Sequence, residues 1–161
     1  MMARLSDLKL KYRLYMQAYP YRHVDWRPGA RLRKALAESR IAVVTSAAFY
    51  GAGQEPFDPT VRGGDSSYRE IPDNIALETL RIGHKSDAFD HSGIEKDKNI
   101  ALPLDRLREL KQDGVIGEVA KRHYSLMGSI TAPGRLVTAT APEIASKLAE
   151  DGVDAVLLTP V

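Results

Sequence analysis

The residues best suited to chemistry lie in one polar segment, where two imidazoles and two carboxylates fall within eight residues. They are His84, Asp87, Asp90 and His91, and Ser92 adds a hydroxyl. Imidazole and carboxylate groups can bind zinc or iron, or can transfer protons. Because their spacing matches no metal-binding motif, a solvated polar loop is the alternative interpretation. We take His84, Asp90, His91 and Ser92 as candidate substrate-binding residues and predict no metal site.

Two further segments carry groups that could bind a small ligand. Residues 65–70 offer hydroxyls, an arginine and carboxylates, which could hold an amino or carboxylate ligand or could pin the loop through turn hydrogen bonds. Residues 123–128 end at Gly128, which allows close backbone approach. His123 in this segment could be a general base, and the alternative is a buried histidine whose hydrogen bonds are satisfied within the protein. The candidate substrate-binding residues in these segments are Asp65, Tyr68, Arg69, His123, Tyr124 and Met127.

The sequence lacks the motifs of the common mechanisms in which a single chain carries out catalysis by itself. The chain has no cysteine, which excludes an internal disulfide, a cysteine metal site and a cysteine nucleophile. It has no Gly-x-Ser-x-Gly elbow and no Gly-x-x-x-x-Gly-Lys phosphate loop. Gly51 and Gly53 begin a glycine-rich stretch, but Pro56 replaces the third glycine of a dinucleotide fingerprint. We therefore assign no catalytic residue and no cofactor to this chain.

Short apolar runs separated by helical patterns predict the fold class. Residues 41–45 are predicted to form a central strand, and residues 99–102 a short strand that leads into a helix over residues 103–111. Residues 154–161 are predicted to form a buried strand. Strands that alternate with helices predict an α/β fold, in which a mostly parallel sheet is covered by helices on both faces of a Rossmann-like three-layer domain.

Local signals predict the limits of the other elements. Thr140 and Glu143 have the spacing of a capping box, which predicts the start of a helix that Gly152 ends. A short helix is predicted to end at Arg40. Residues 49–74 are rich in glycine, proline, aspartate and serine and predict a long loop, a feature that is typically functional in compact domains.

Composition indicates an ordinary globular protein. The 161 residues are 43% hydrophobic and 27% charged, which is enough apolar surface for one domain with a core. No apolar run approaches the roughly 20 residues that span a bilayer, and the amino terminus lacks a signal-peptide core. These features predict a cytoplasmic location and no membrane partner.

Charge is distributed unevenly along the chain. Residues 1–40 contain 10 Lys/Arg against 3 Asp/Glu, a net charge of +7, whereas residues 41–161 have a net charge of −5. We therefore divide the chain into a basic amphipathic helical arm, residues 1–40, and an α/β domain, residues 41–161. The arm is predicted to meet an acidic protein surface, with nucleic acid and an anionic membrane as the disfavoured alternatives. Its helix is predicted to end at Pro20, and its apolar stripe comprises Leu5, Leu8, Tyr12, Tyr15, Met16 and Tyr19.

Several segments also occur in an order that is more specific than any one motif. They are GDSSYREIP at 64–72, FDHSG at 89–93, LPLDRLREL at 102–110 with GVIG at 114–117, RHYSLMG at 122–128, APEIA at 141–145 and DGVDAVLLTP at 151–160. From about Arg40 to Val161 the chain thereby resembles the selenoprotein B family of the glycine, sarcosine, betaine and D-proline reductases.

The resemblance implies a reaction, partners and a redox residue. It implies a subunit, or a truncated fragment of one, in an oligomeric complex that reductively cleaves the carbon–nitrogen bond of glycine, sarcosine, betaine or D-proline. It also implies a motif with selenocysteine, or cysteine in some relatives, directly after the strand at 154–161, whose selenolate attacks the carbon bearing the amino group. In the family the D-proline enzyme uses a pyruvoyl group on a partner subunit, and the glycine-type enzymes pass the carbon unit to a small selenoprotein.

The last predicted strand therefore lies where such chemistry belongs. Ligands in open α/β proteins bind at the carboxyl ends of the strands, and a selenol there gains from nearby helix amino termini. We expect the α/β domain to be incomplete at Val161, with a UGA codon read as selenocysteine to follow, and the chain alone to be inactive. The alternative is a naturally short subunit, or a chain cut at this point, that binds a substrate or a partner without catalysis.

Overall fold

The computed structural model describes Ser6 and residues 9–18, 29–85 and 90–161. The chain divides into two compact units, Met1–Arg31 and Leu32–Val161. The first contains helix α1 (Leu10–Ala18), which confirms a helix in the arm, and Tyr12 and Tyr15 are exposed on it. Leu5, Leu8 and Tyr19 of the predicted stripe lie outside the described residues. In the described ranges, no helix has the length and apolar character needed to cross a membrane.

The second unit is built on strands and three helices within its described residues. The strands are β1 (Arg40–Thr45), β2 (Phe49–Tyr50), β3 (Tyr68–Pro72), β4 (Arg81–Ile82), β5 (Glu118–Val119), β6 (Arg122–Leu126) and β7 (Ala155–Thr159). The helices are α2 (Ser92–Lys96), α3 (Leu104–Gln112) and α4 (Ala141–Glu150). Strands β2 and β4 pair with each other in a small antiparallel ribbon, and the other five form the main sheet.

Strand β1 organises the main sheet. Strand β7 runs parallel along one edge of β1, from the pair Ile41–Ala155 to the pair Thr45–Thr159. On the other edge, β5 pairs with the start of β1 and β6 with its end, both in parallel, and β3 lies antiparallel outside β6. The prediction of a mostly parallel sheet with a strand at residues 41–45 is confirmed.

The side chains of β1 alternate between two cores, because successive residues of a strand face opposite sides of the sheet. Ile41 and Val43 belong to a buried cluster that includes residues of α3. Ala42 belongs to a second cluster, with Ile144 and Leu148 of α4. The sheet is therefore covered by α3 on one face and α4 on the other, and the domain is the predicted Rossmann-like three-layer α/β fold.

The predicted strand at residues 99–102 is wrong, because side chains cap the backbone there. Lys98–Ile100 forms a 3-10 turn in which the Asp97 carboxylate accepts from the Asn99 amide at 2.9 Å. The Asn99 side-chain oxygen in turn accepts from the Asp105 amide at 3.0 Å, in the first turn of α3. Short polar side chains thus offer the backbone an alternative to sheet pairing.

The predicted capping box is also wrong. Leu136–Thr140 forms a π-helical turn that runs directly into α4, so Thr140 has helical backbone angles and no capping hydrogen bond. Its hydroxyl donates to the Ser66 carbonyl oxygen at 2.7 Å. The predicted helix before Arg40 is reduced to one 3-10 turn at Leu36–Glu38.

Two predictions about loops and edges also need correction. The region 49–74 is not a continuous loop, because β2 begins it and β3 lies near its end. The strand predicted at residues 154–161 is confirmed as β7, but it is not buried. Val156, Leu157 and Leu158 are 39%, 40% and 68% exposed, since no other strand among the described residues pairs with the outer edge of β7.

Candidate functional site

The carboxyl ends of the parallel strands β1, β6 and β7 meet at one edge of the sheet. We call this the carboxyl edge and define it by residues 45–48, 126–130 and 159–161. Because β3 is antiparallel to β6, its first residue, Tyr68, pairs with Leu126 at the same edge. The loop that precedes β3 and the backbone that follows β1, β6 and β7 therefore converge there. This is the edge at which open α/β proteins bind their ligands.

Gly128 is a position of close backbone approach within the carboxyl edge. A Cβ atom built there would lie 2.8 Å from His84 Nε2, 2.9 Å from the Ser46 carbonyl oxygen and 3.0 Å from the Val161 carbonyl oxygen. Three segments of the chain thus meet at a residue without a side chain, as the sequence predicted for this glycine. The meeting point brings a candidate imidazole, His84, directly against the backbone of the edge.

Ser46 joins the ends of β1 and β7. Its hydroxyl accepts a hydrogen bond from the Val161 amide at 2.9 Å, and its own amide donates to the Thr159 carbonyl oxygen at 3.2 Å. Sequence analysis did not identify Ser46. A serine directly after a predicted central strand was the signal that could have done so.

The backbone after β1 turns sharply to reach the second candidate segment. Ala48 has φ of 56°, a left-handed conformation that is uncommon for a residue other than glycine. Its amide donates to the Leu126 carbonyl oxygen at 2.8 Å, and its carbonyl oxygen accepts from the Gly83 amide at 2.9 Å. This buried turn connects β6 to the segment that carries His84. Backbone strain of this kind tends to cluster at functional sites.

His84 and His91 lie together, with ring centroids 6.2 Å apart and rings inclined by 73°. Burial, reinforced by the neighbouring His91, lowers the pKa of His84, so its imidazole is neutral at pH 7. Asp90 is exposed, and its carboxylate accepts from the Ser92 amide at 2.9 Å at the start of α2. The two imidazoles of the predicted cluster thus lie near each other, and the neutral ring of His84 can accept or donate a proton. Asp87 lies outside the described residues.

Arg69 organises the loop before β3. Its guanidinium donates to the carbonyl oxygens of Glu55 at 2.6 Å and Pro56 at 3.0 Å, and it lies 4.2 Å from the centroid of the Phe57 ring. It also donates to the Ser67 hydroxyl at 2.9 Å. The guanidinium donors of Arg69 are thus engaged in hydrogen bonds within the protein, mainly to its own backbone.

Asp65 has a similar role in the same loop. Its carboxylate accepts from the Asp58 amide at 3.0 Å and from the Ser67 amide at 2.9 Å. Lys85, next to His84, donates to the Val61 carbonyl oxygen at 2.8 Å and so ties the loop to the histidine segment. The geometry of Asp65 and Arg69 corresponds to the second interpretation of residues 65–70, in which they pin the loop.

His123 lies inside the sheet and not at the carboxyl edge. It is fully buried, and its Nδ1 accepts from the Val43 amide at 3.0 Å. That amide belongs to the stretch of β1 between its pairings with β5 and β6, so the imidazole replaces a missing ladder acceptor. Burial lowers the pKa of His123 to about 4 and keeps the ring neutral. This environment corresponds to the buried, hydrogen-bonded alternative.

The remaining candidates contribute mainly to packing. Tyr124 is fully buried on the α4 face, and its ring meets that of Tyr68 edge-on, with centroids 5.6 Å apart. The Tyr68 hydroxyl donates to the Glu143 carboxylate. Met127, within the carboxyl edge, is buried in a small cluster with Ala48 and Phe57.

A cleft of about 610 Å³ lies at the opposite edge of the sheet, where β1 and β5 begin. Its charged lining is largely paired, for example through Lys111 and Glu118 at 2.8 Å. Sequence analysis did not identify it. The lining residues are Arg40, Asp73, Arg108, Lys111, Gln112, Glu118, Val119, Lys121 and Asp151. Among residues 29–85 and 90–161 and the described part of the arm, no group of three or more His, Cys, Asp or Glu side chains is placed to hold a metal ion.

Comparison with known proteins gives consistent matches. The chain is 33% identical over 134 residues to the D-proline reductase subunit gamma of Acetoanaerobium sticklandii, which covers 83% of the chain and 52% of that protein. It is 31% identical to the sarcosine reductase complex component B subunit beta of Peptoclostridium acidaminophilum, over 94% of the chain and 34% of the relative. It is 32% identical to the glycine reductase complex component B subunit gamma of Symbiobacterium thermophilum, over 94% of the chain and 35% of the relative.

The chain therefore spans about a third to a half of the length of these relatives. No solved structure matches it significantly. The family model for the glycine/sarcosine/betaine reductase selenoprotein B matches residues 5–161, which is almost the whole sequence. On this match and on relatives of more than 30% identity, the chain belongs to the glycine/sarcosine/betaine reductase selenoprotein B family.

Proposed function

We propose that this chain is the substrate-binding part of a reductase subunit that acts on a small amino acid or betaine-type substrate: glycine, sarcosine, betaine or D-proline. The reaction is the reductive cleavage of the carbon–nitrogen bond, carried out in a complex with other reductase subunits. The proposal rests chiefly on family membership, since the relatives named above are components or subunits of such reductases.

The carboxyl edge supports the location of the substrate. It combines a neutral imidazole, His84, with the close approach of three backbone segments at Gly128. A site of this kind can exclude water from one side of a small ligand and can exchange a proton with it. Ser46 and the strained turn at Ala48 hold the edge in place from the side of β1.

We expect the redox residue to come from polypeptide outside these 161 residues, because the sequence has no cysteine. In the family that residue is selenocysteine or cysteine, which supplies a nucleophile of low pKa. The contribution of the described residues is to bind and orient the substrate beside that nucleophile, with His84 holding or moving a proton. A pyruvoyl group on a partner subunit is a further expectation for a D-proline enzyme.

Substrate binding is the first test, because it does not require turnover. Isothermal titration of the full 161-residue chain with glycine, sarcosine, betaine and D-proline should give saturable binding of one of them. His84→Ala should weaken that binding, whereas Lys121→Ala, in the cleft at the opposite edge, should leave it unchanged. Equal effects of the two variants would contradict a site at the carboxyl edge.

Activity is the second test, and it separates an enzyme subunit from a binding module. The chain should be supplied with the polypeptide that carries the redox motif and with the other reductase subunits, and dithiol-dependent reduction of the four substrates should be measured. Turnover of one substrate supports the proposal. Binding without turnover favours a non-catalytic binding subunit on the same scaffold, and failure with all four substrates contradicts the substrate class.

A further inference from the structure

The outer edge of β7 differs from an ordinary exposed sheet edge. Natural edge strands are protected by charges, prolines, bulges or a covering loop. Between Ala155 and Thr159, β7 contains none of the first three, since its sequence is AVLLT and its register with β1 is continuous. Among the described residues no strand pairs with its outer edge, and Leu158 is 68% exposed.

Both faces of β7 are also partly exposed. Val156 and Leu158 pair with Ala42 and Val44 of β1, so they face the α4 side, and Leu157 faces the α3 side. All three side chains are at least 39% exposed. Strands of a parallel sheet are normally covered on both faces, and for that reason they form continuous apolar runs such as this one. The sequence of β7 is thus that of an interior strand.

The other edge strand of the sheet, β3, is protected within this domain. Strand β3 is antiparallel, carries Arg69 and Glu70, and ends in Pro72. The loop before it covers its outer side, where the Gln54 side-chain amide donates to the Glu70 carbonyl oxygen at 2.9 Å. One edge of the sheet is therefore closed by the domain itself, and no strand within the described residues closes the edge at β7.

The lengths of the relatives indicate what the occupant is. The match leaves out about half of the D-proline reductase subunit gamma and about two thirds of the sarcosine and glycine reductase subunits. Those relatives thus have enough further polypeptide to continue a sheet. A strand with a following helix needs only a few dozen residues.

We propose that the outer edge of β7 binds a further parallel β-strand and its adjoining helix, supplied by the part of the reductase that corresponds to the unmatched portion of these relatives. The added strand makes β7 an interior strand, and the helix covers Val156, Leu157 and Leu158. This inference depends on family membership and not on the identity of the substrate. Its consequence for function is direct, because the carboxyl end of a parallel neighbour lies beside Thr159–Val161 and becomes a further wall of the carboxyl edge.

Amide hydrogen exchange can report the pairing at single residues. The Thr159 carbonyl oxygen accepts from the Ser46 amide at 3.2 Å, so Thr159 faces β1. The amide and carbonyl of one strand residue point to the same side and successive residues alternate, so the amide of Leu157 also points to β1, and the amides of Val156 and Leu158 point to the open edge. In the chain alone, exchange should be slow at Leu157 and fast at Val156 and Leu158.

The test is to co-express the full chain with the unmatched portion of the D-proline reductase subunit gamma, so that the two can fold together. We expect co-purification in a one-to-one ratio and slowing of Val156 exchange by about 100-fold or more. Leu158→Lys should abolish both effects. Val137→Lys, which changes a 50% exposed apolar residue away from β7, should abolish neither.

Three outcomes would overturn the inference. The first is a chain that remains alone in this experiment, with fast exchange at Val156. The second is slow exchange at Val156 together with a dimer of this chain in sedimentation velocity, because the occupant is then a second copy. The third is a complex that Leu158→Lys leaves intact. None of these readouts depends on substrate binding, so they separate failure of this inference from failure of the proposed function.

Discussion

The burial of His123 should make the stability of this protein depend on pH in a way that one substitution removes. Its pKa falls from the ordinary value of 6.5 to about 4, because the ring is buried in the sheet. This difference corresponds to about 3 kcal/mol of unfolding free energy. We compare the natural protein with His123→Gln, because the amide oxygen of glutamine can still accept from the Val43 amide but does not titrate in this range.

The direction in which the unfolding free energy changes with pH follows from proton binding to His123. Between pH 6.5 and pH 4, the imidazole takes up a proton in the unfolded chain but stays neutral in the folded one. The contribution of His123 is therefore fully present above pH 6.5 and is lost as the pH falls towards 4. Carboxylates with lowered pKa, such as Asp105 and Asp151, add a loss of their own at acid pH, but they are common to both proteins.

The measurement is urea denaturation at several pH values from 7.5 to 4. The unfolding free energy of the natural protein should fall by about 3 kcal/mol more than that of His123→Gln across this interval. Parallel curves for the two proteins would refute the reasoning, since they would mean that His123 titrates normally. The same comparison for His84→Gln should show a smaller difference, because that ring is only half-buried.

The remaining predictions concern packing and the loop. Gly128→Ala should lower the unfolding free energy by about 1–3 kcal/mol, because the new Cβ meets three atoms within 3.0 Å. Gly134→Ala is the control and should cost little, because no atom lies within 4 Å of its new Cβ. Thermal denaturation measures both variants, and equal effects would contradict the close approach at Gly128. Leu107→Ala, at a buried position of α3, should cost about 2–5 kcal/mol in urea denaturation, and Leu110→Ala, which is 37% exposed, clearly less. Arg69→Lys should speed proteolysis within residues 51–67, because a lysine ammonium group cannot reproduce the two guanidinium hydrogen bonds to the carbonyl oxygens of Glu55 and Pro56. Unchanged cleavage would contradict the role of Arg69 in the loop.

The layers of the fold could be predicted because their signals are local. The run at residues 41–45 is apolar and β-branched, and α3 and α4 show helical periodicity in which Leu104, Leu107, Ile144 and Leu148 are buried. A glycine follows each of these helices and adopts positive φ, at Gly114 and Gly152. Such signals need no knowledge of which segments meet in space.

The errors arose where a distant partner decides the local structure. Thr140 has the sequence of a helix cap, but its hydroxyl bonds Ser66, which is 74 residues away. The burial of β7 depends on what lies at its outer edge, and the apolar sequence AVLLT is the same whether or not that edge is occupied. The hydrogen bond between His123 and Val43 likewise depends on the gap between β5 and β6, which no local pattern reveals.

The histidines of the candidate site also show the difference between what local sequence predicts and what distant partners decide. Sequence analysis identified three histidines of the described residues as candidates, and their environments separate them. His123 is buried with Nδ1 bonded to the backbone of β1, so its chemistry is used in holding the sheet together. His84 lies beside His91 and against Gly128, where the backbone carbonyls after β1 and β7 also point. The neutral imidazole at the meeting point of the strand ends fits the substrate site that we propose, and the strand that we propose on the outer edge of β7 adds a further wall to that site.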